Sequence, residues 1–222
     1  MKLKVLAVAA LAACGVTALS SPSRGLAEAP ERASNDFVIY RVETRDPVVF
    51  ITVDDGFWKT PEALAEVKRL GWPVSSFVLP RPLSQNVPYF KAFGSTVEFG
   101  NHTYSHTSLK RRSLTFQKNE ICRGAGAVEK LVGVRPVLFR PPFGAWDKNT
   151  IEAARSCGME KLALWRVVVS GEKISTWGGP IRRGDIIILH YRPSLAASLT
   201  VLDAALRKQG LRPALLGDYL KQ

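Results

Sequence analysis

From about Asp36 onward, short apolar runs alternate with segments whose apolar residues recur at helical spacing. The run at 47–53 predicts a buried strand, and 61–70 predicts a helix with Thr60 as its N-cap and Gly71 at its exit. Further strands are predicted at 74–79, 96–99, 137–140, 161–169, 185–189 and 212–216, and further helices at 114–132, 148–157 and 194–209. Strands that alternate with helices predict a mostly parallel sheet, and about seven such units without a dinucleotide-binding fingerprint favour an α/β barrel.

The first residues have a different pattern, which is typical of a bacterial secretory signal. Lys2 and Lys4 precede an apolar stretch at 5–13, which is too short to cross a bilayer because a spanning helix needs about 20 residues. Residues 11–15 resemble a lipobox in which Cys14 would be lipidated, whereas ordinary cleavage would come later, for example after Ala27. Both routes predict an extracellular or cell-envelope protein. The expected organisation is a signal peptide at 1–27, a linker at 28–44 and one folded domain at 45–222.

The net charge of the chain is +12, which predicts attraction to anionic surfaces such as a cell wall or a membrane. Nucleic-acid binding would require clustered Lys and Arg with interleaved aromatic residues, or a known binding module. Here the basic residues are scattered, and the longest run is Lys110-Arg111-Arg112. A nucleic-acid partner is therefore not expected.

Export also changes what the cysteines imply, because disulfides form and persist outside the cytoplasm. Besides Cys14, the chain has Cys122 and Cys157, which allow a single pairing. We expect these two residues to form a disulfide, and the alternative is two buried free thiols.

Polar residues collect where the predicted strands end, and in a barrel the chemistry is located at the strand ends. The first strand is followed by Asp54-Asp55-Gly56, and adjacent carboxylates at the end of a buried strand are unfavourable unless a cation holds them. The third strand is followed by His102 and His106, whose spacing lets two imidazoles face one metal site. Each pattern alone is also compatible with an ordinary turn or an incidental pair.

Two more strand ends add an arginine and the third histidine of the chain. Arg140, before Pro141-Pro142, can orient a carboxylate through a bidentate hydrogen bond. His190 ends the strand at 185–189 and can titrate near neutrality. One carboxylate and two histidines form an open zinc-ligand set, and the remaining carboxylate and histidine can act as base and acid.

These motifs, in this order, resemble the polysaccharide deacetylase family, also called NodB-homology or carbohydrate esterase family four. The matching segments are Thr52-Val53-Asp54-Asp55-Gly56, His102-Thr103-Tyr104-Ser105-His106, Arg140-Pro141-Pro142-Phe143-Gly144 and Leu189-His190. The resemblance covers roughly residues 45–215. It implies a distorted (β/α)7 barrel of the NodB-homology type, with 45–222 as the catalytic domain.

The same resemblance implies a role for each motif residue. Asp54 resembles the catalytic base, and Asp55, His102 and His106 resemble the ligands of a divalent metal, expected to be Zn²⁺. Further implied roles are orientation of the base by Arg140, an oxyanion contact from the backbone N–H of Phe143, general acid catalysis by His190, an acetyl-methyl pocket at Leu189 and a sugar-groove contact from Trp165.

The implied activity is removal of N-acetyl groups from an exported or cell-wall polysaccharide of the peptidoglycan or chitin type, with release of acetate. One departure puts its efficiency in doubt. Val168 stands where the family usually has an aspartate that supports the acid histidine. The alternative is therefore a non-catalytic or weakly active, wall-tethered carbohydrate-binding protein on the same fold.

Overall fold

Ten strands and six helices form among residues 36–220, the part of the chain that this computed structural model describes. The strands are β1 (Val38–Ile39), β2 (Val48–Asp55), β3 (Val74–Val78), β4 (Val97–Asn101), β5 (Leu138–Phe139), β6 (Lys161–Ala163), β7 (Val167–Ser170), β8 (Lys173–Thr176), β9 (Ile186–His190) and β10 (Arg212–Ala214). The helices are α1 (Pro61–Leu70), α2 (Pro80–Gln85), α3 (Val87–Lys91), α4 (Leu114–Val132), α5 (Lys148–Ser156) and α6 (Leu195–Lys208). None of these helices is long and apolar enough to cross a membrane. The predicted signal peptide, Cys14 and residues 28–35 of the predicted linker lie outside the described residues.

The strands form one sheet in the order β1-β6-β5-β4-β3-β2-β9-β7-β8, and β10 pairs with β2 beside this series. All named pairings are parallel except the β7–β8 hairpin. After β1, Arg41 makes an isolated antiparallel bridge to Asp185, just ahead of β9. The predicted α/β class and distorted barrel are confirmed. The sheet is a curved half-barrel with helices on its outside, and its strand ladders do not close into a ring among the described residues.

Local sequence signals explain the long helices. α1 begins with Pro61 and ends at Gly71, whose φ of 65° is left-handed, as predicted. Thr60 is the N-cap residue, as predicted, although its side chain makes no capping hydrogen bond. α4 spans the predicted 114–132 and is capped by Ser113, whose Oγ accepts a hydrogen bond from the Phe116 N–H at 3.2 Å.

Three segments differ from the predictions. The proline-rich stretch after β3 forms the short helices α2 and α3, because proline fits the first turn of a helix. The predicted strand at 161–169 is divided into β6 and β7. The predicted domain start at residue 45 is too late, since β1 pairs with β6 and Phe37 and Val42 are buried.

The apolar residues pack on both faces of the sheet. Alternate residues of β2, Val49, Ile51 and Val53, pack outward against α1 and α6. Val48 and Phe50 point to the inner face and pack in a smaller cluster with Phe77 and Leu138. A third cluster joins α4 and α5 beside β5 and β6. Because successive side chains of a strand alternate between faces, Thr52 and Asp54 of β2 point to the same inner face as Val48 and Phe50.

A disulfide joins Cys122 of α4 to Cys157, which follows α5, with the two Cα atoms 5.0 Å apart. The bond closes a loop with a sequence separation of 35 residues and fixes two neighbouring helices of the third cluster.

Removing this bond should destabilise the protein. In the Cys122→Ala/Cys157→Ala variant the free energy of unfolding should fall by about 2–4 kcal/mol, because the unfolded chain regains the freedom that the cross-link removed. Denaturant unfolding of both proteins measures the change. Non-reducing peptide mapping of the purified protein provides the control, and finding both thiols unlinked would contradict the prediction.

Candidate active site

The ends of β2, β4, β5 and β9 bring the candidate residues to one edge of the sheet. In the register of these strands, Asp54 lies opposite His190, and Asn101 lies opposite both Val78 and Phe139. His102 and Arg140 are the next residues after Asn101 and Phe139. The parallel pairing therefore brings polar residues that are up to 136 positions apart in the chain to one edge of the sheet.

Both carboxylates of the Asp54-Asp55 pair are buried at this edge. Asp54 faces the inside of the barrel, two residues after Thr52 and on the same face. Strict alternation would turn Asp55 away, but Asp55 has a φ of 77°, a left-handed conformation that is uncommon for a residue other than glycine. This strained turn lets both carboxylates reach the same site, and such strain is frequent at functional sites.

Asp55, His102 and His106 form a cluster whose candidate ligand atoms all lie within 4.8 Å of one another. Asp55 Oδ1 is 3.4 Å from Nε2 of His102 and 3.2 Å from Nε2 of His106. This oxygen is buried and has no hydrogen-bond partner in the described residues. Burial raises the pKa of Asp55, but the two imidazoles more than offset this effect, and the pKa lies well below its usual range. An ionised, unpartnered carboxylate oxygen beside two imidazole nitrogens fits a divalent cation.

The histidines are held by their loop. The His102 Nδ1 lies 2.8 Å from the backbone oxygen of Arg140, which can only accept, so Nδ1 carries the proton and Nε2 presents its lone pair to the site. The His106 N–H donates to Thr103 Oγ1 at 3.1 Å, and the Thr103 N–H donates to Asn101 Oδ1 at 3.0 Å. Thr103 and His106 both have positive φ values, of 70° and 62°.

A buried glutamate of α4 supports this loop. Glu120 Oε2 accepts hydrogen bonds from both the N–H and the Oγ of Ser105, each at 2.9 Å. The supporting residues that the sequence did not predict are Thr103, Ser105 and Glu120. The two loop residues stand between the histidines of the motif, which was a usable signal, whereas no pattern in α4 singles out Glu120.

Arg140 is fully buried and makes contacts on all sides. Its Nη1 donates to Asp54 Oδ1 at 2.6 Å and to Thr52 Oγ1 at 2.8 Å. Its Nε donates to the Ala163 oxygen at 2.8 Å, and Nη2 donates to the Leu164 oxygen at 3.3 Å. Burial lowers the pKa of Arg140, and the adjacent Asp54 opposes that shift. The guanidinium thus holds Asp54 in position and donates hydrogen bonds to the two backbone oxygens between β6 and β7.

The converging groups line a cavity of about 190 Å³, smaller than cavities of about 510 and 660 Å³ found elsewhere on the protein. We place the chemistry in the small cavity because the reactive side chains meet there. Its lining comprises Asp54, Asp55, His102, His106, Pro141, Phe143, Trp165, Val168, Ile188, His190 and Arg192. It therefore holds most of the residues that the sequence predicted.

Arg140 contacts Asp54 without being part of this lining. Leu189 also lies outside it, and its predicted place in an acetyl-methyl pocket is wrong. The side chain is fully buried in the outer cluster together with Ile187. Because β9 alternates and His190 faces the cavity, Ile188 faces the cavity and Leu189 faces the helices. The apolar side of the cavity is instead formed by Ile188 and Val168, which are register partners in β9 and β7.

The environment of His190 depends on its charged neighbours. Burial lowers the pKa of His190, and Arg192 and His102 push it in the same direction, while the carboxylates of Asp54 and Asp55 raise it. The net pKa lies below the ordinary value. Val168 lines the cavity with His190 and carries no charge to counter this shift.

Phe143 and Trp165 flank the cavity. Phe143 lies in the 3₁₀ turn Pro142–Gly144 with a φ of 62°, and its exposed ring lies edge-on to His106, with 4.9 Å between the centroids. The Trp165 ring lies 5.6 Å from the Arg140 guanidinium and packs closely on Gly144, where an added Cβ would come within 3.0 Å of the ring. Because Gly144 has no side chain, the turn can pack directly against the indole ring of Trp165 at the side of the cavity.

Comparisons with known proteins identify related sequences. A family model described as polysaccharide deacetylase matches residues 41–162. An uncharacterised protein of Streptomyces coelicolor is 33% identical over 193 residues, which cover 82% of this chain and 77% of that protein. A peptidoglycan-N-acetylglucosamine deacetylase of Bacillus cereus is 26% identical over 205 residues, which cover 83% of this chain and 93% of that protein.

Solved structures share the fold at low identity. A family 4 carbohydrate esterase from Bacillus anthracis superimposes with a TM-score of 0.71 at 20% identity, covering 84% of this chain and 88% of that one. A family 4 pseudoenzyme from the same species gives a TM-score of 0.70 at 20% identity, covering 84% and 69%. The same fold is thus found in an esterase and in a pseudoenzyme, so the activity must be argued from the site.

Proposed function

Since the chain belongs to the polysaccharide deacetylase family, a family that depends on divalent metal, we propose that it hydrolyses N-acetyl groups of an exported or cell-wall polysaccharide and releases acetate. The observation that carries the proposal is one cavity lined by Asp54, His190 and the Asp55, His102 and His106 cluster, with Arg140 paired to Asp54. The B. cereus relative supports a peptidoglycan-type substrate, and a chitin-type glycan has the same N-acetyl group. The N-terminal pattern supports export to the cell envelope, by either of the two routes, and the net charge of +12 supports attraction to an anionic wall or membrane.

The residues divide the work of amide hydrolysis. Asp55, His102 and His106 would hold the metal, which would polarise water and the acetamide carbonyl; the two imidazole ligands suit Zn²⁺. Asp54, oriented by Arg140, accepts a proton as water attacks the acetamide carbon. The backbone N–H of Phe143 would donate to the charge that develops on the carbonyl oxygen. His190 delivers a proton to the nitrogen as the C–N bond breaks, which leaves acetate and an amine.

One observation favours a second candidate, a non-catalytic or weakly active sugar-binding protein on the same fold. Val168 lines the cavity without the carboxylate that the family usually has there. The proposed base, metal ligands and acid nevertheless all line this cavity, and this supports the enzyme. Acetate release from acetylated oligosaccharides distinguishes the two candidates.

The metal cluster gives a direct test. Purified protein should contain about one divalent ion per chain and release acetate, while the His102→Ala/His106→Ala variant should lose both. Elemental analysis and an acetate assay measure the two effects. His190→Ala is the matched control, because it removes the third histidine and should lose activity but retain metal. Equal metal content in the double variant and wild type would refute the assignment.

The pH dependence of acetate release should reflect the lowered pKa of His190. The protonated acid is lost as pH rises through this pKa, so the alkaline limb should lie below the ordinary histidine value of about 6.5. A carboxylate in Val168→Asp should raise the pKa and move the limb to higher pH. Val168→Asn adds a polar group of similar size without charge and should leave the limb unchanged. An unmoved limb in folded Val168→Asp protein would contradict this role.

A further inference from the structure

A groove of about 660 Å³ runs from the metal cluster between α2 and α4, and we refer to it as the α2–α4 groove. His106 lines both this groove and the small reactive cavity. Pro82 of α2 forms one wall, Leu131 of α4 forms part of the other, and Phe57 and Tyr104 line the end near His106. The groove is therefore continuous with the place where the acetamide is hydrolysed.

The aspartate, glutamate, lysine and arginine residues that line the groove are only two, and both are cations. Arg81 and Lys130 line it and are exposed, and no aspartate or glutamate is among its lining residues. The side chains of both cations make no hydrogen bond or ion pair within residues 36–220. Arg123 adds a third positive charge, 4.0 Å above the Tyr104 ring. The Glu120 carboxylate beneath Ser105 is already engaged by the two hydrogen bonds of that serine.

Two exposed rings form the connection to the reactive cavity. The Phe57 side chain is 49% exposed, and its ring lies edge-on to His106 with 6.4 Å between the centroids. Tyr104 is 39% exposed two residues before His106. Exposed aromatic rings offer apolar faces to a sugar ring or an aliphatic group, so a chain held at the metal site has a surface along which it can reach the groove.

We propose that the α2–α4 groove binds a carboxylate-bearing substituent of the glycan whose acetamide lies in the reactive cavity. The proposal rests on the proposed function for the position of the acetamide. An apolar floor with Arg81 and Lys130 at its edges complements a short group that ends in a carboxylate. A wholly neutral glycan would leave both cations without a partner. The groove thus makes the enzyme selective for acidic over neutral N-acetylated chains.

The test compares Arg81→Gln/Lys130→Gln with wild type on three substrates. These are a peptidoglycan fragment with free carboxylates, the same fragment after its carboxylates are converted to amides, and a neutral chitin oligosaccharide. Loss of two exposed ion pairs should raise KM for the carboxylate fragment roughly three- to tenfold, and leave kcat unchanged. The amidated fragment and the chitin oligosaccharide should be processed equally well by both proteins.

Lys118→Gln/Lys208→Gln is the matched control. It makes the same change in net charge at exposed positions outside the groove, on α4 and α6. This variant should behave like wild type on all three substrates. Equal effects of the two double variants would show a non-specific charge effect, and an unchanged KM in the groove variant would show that the groove does not bind the carboxylate. Either outcome overturns the proposal.

A binding measurement separates this proposal from the proposed function. In an Asp54→Asn background, calorimetric titration with the carboxylate and amidated fragments should show preference for the carboxylate form, and the groove substitutions should abolish that preference. If no substrate yields acetate but this preference persists, the proposed function fails and the groove assignment stands. If acetate is released but the preference is absent, the groove assignment fails alone.

Discussion

Replacing Arg140 by leucine is expected to lower the free energy of unfolding by about 3–5 kcal/mol, because it leaves a buried carboxylate without its cation. Arg140 is fully buried, and its Nη1 lies 2.6 Å from Asp54 Oδ1. The same side chain donates to Thr52 and to two backbone oxygens, which would also lose their partner. Chemical denaturation in the presence of a chelator measures the change without a contribution from bound metal.

A double-mutant cycle identifies the cause of this loss. Arg140→Leu/Asp54→Asn removes the charge as well as its partner, so it should be more stable than Arg140→Leu alone. Arg140→Lys is a further control that keeps the charge but loses the planar fork. If the double variant is no more stable than Arg140→Leu, the loss comes from packing and backbone contacts rather than from the stranded carboxylate.

The central role of Arg140 also explains why the strand prediction at 161–169 was wrong. Those residues are apolar enough for one continuous strand, and hydrophobic pattern alone gives no reason for a break. In the structure, the Leu164 N–H bonds to Ile39 on one side, and the Arg166 N–H bonds to Ile186 on the other. Arg140, which is distant in sequence, donates hydrogen bonds to the backbone oxygens at this break. The break in the strand therefore depends on a tertiary contact.

The residues of the candidate site were easier to predict from the sequence than the bounds of the strands. Histidines four residues apart and a pair of aspartates after an apolar run are local patterns, and parallel strands bring their ends to one edge. The direction of each side chain was harder to predict. Asp55 reaches the site only through a left-handed φ, which no sequence period indicates, and Leu189 was assigned to the cavity although alternation from His190 places Ile188 there.

Supporting contacts between elements were the least predictable part. Glu120 contacts Ser105 from a helix that is otherwise an ordinary amphipathic segment. β1 lies in the stretch that the sequence predicted to be a linker. The groove cations Arg81 and Lys130 are 49 positions apart and lie on separate helices. Their common location follows from the packing of α2 on α4, which is a three-dimensional fact.

Asp54→Asn is expected to reduce kcat for acetate release by about 10²–10⁴-fold, since an amide cannot accept the proton that water loses as it attacks. Asparagine has the same shape, and its side-chain oxygen can still accept the hydrogen bond from Arg140, so the fold should be retained. The cluster of Asp55, His102 and His106 is unchanged, and metal content should match that of wild type.

Asp55→Asn provides the contrast that assigns the two adjacent carboxylates. It weakens the metal cluster itself, so metal content and activity should fall together, whereas in Asp54→Asn only activity falls. Steady-state kinetics, elemental analysis and thermal unfolding of both variants measure these effects. If Asp54→Asn keeps kcat within about tenfold of wild type, another group accepts the proton. If it loses metal as completely as Asp55→Asn does, Asp54 is a ligand and the roles of the two aspartates must be revised.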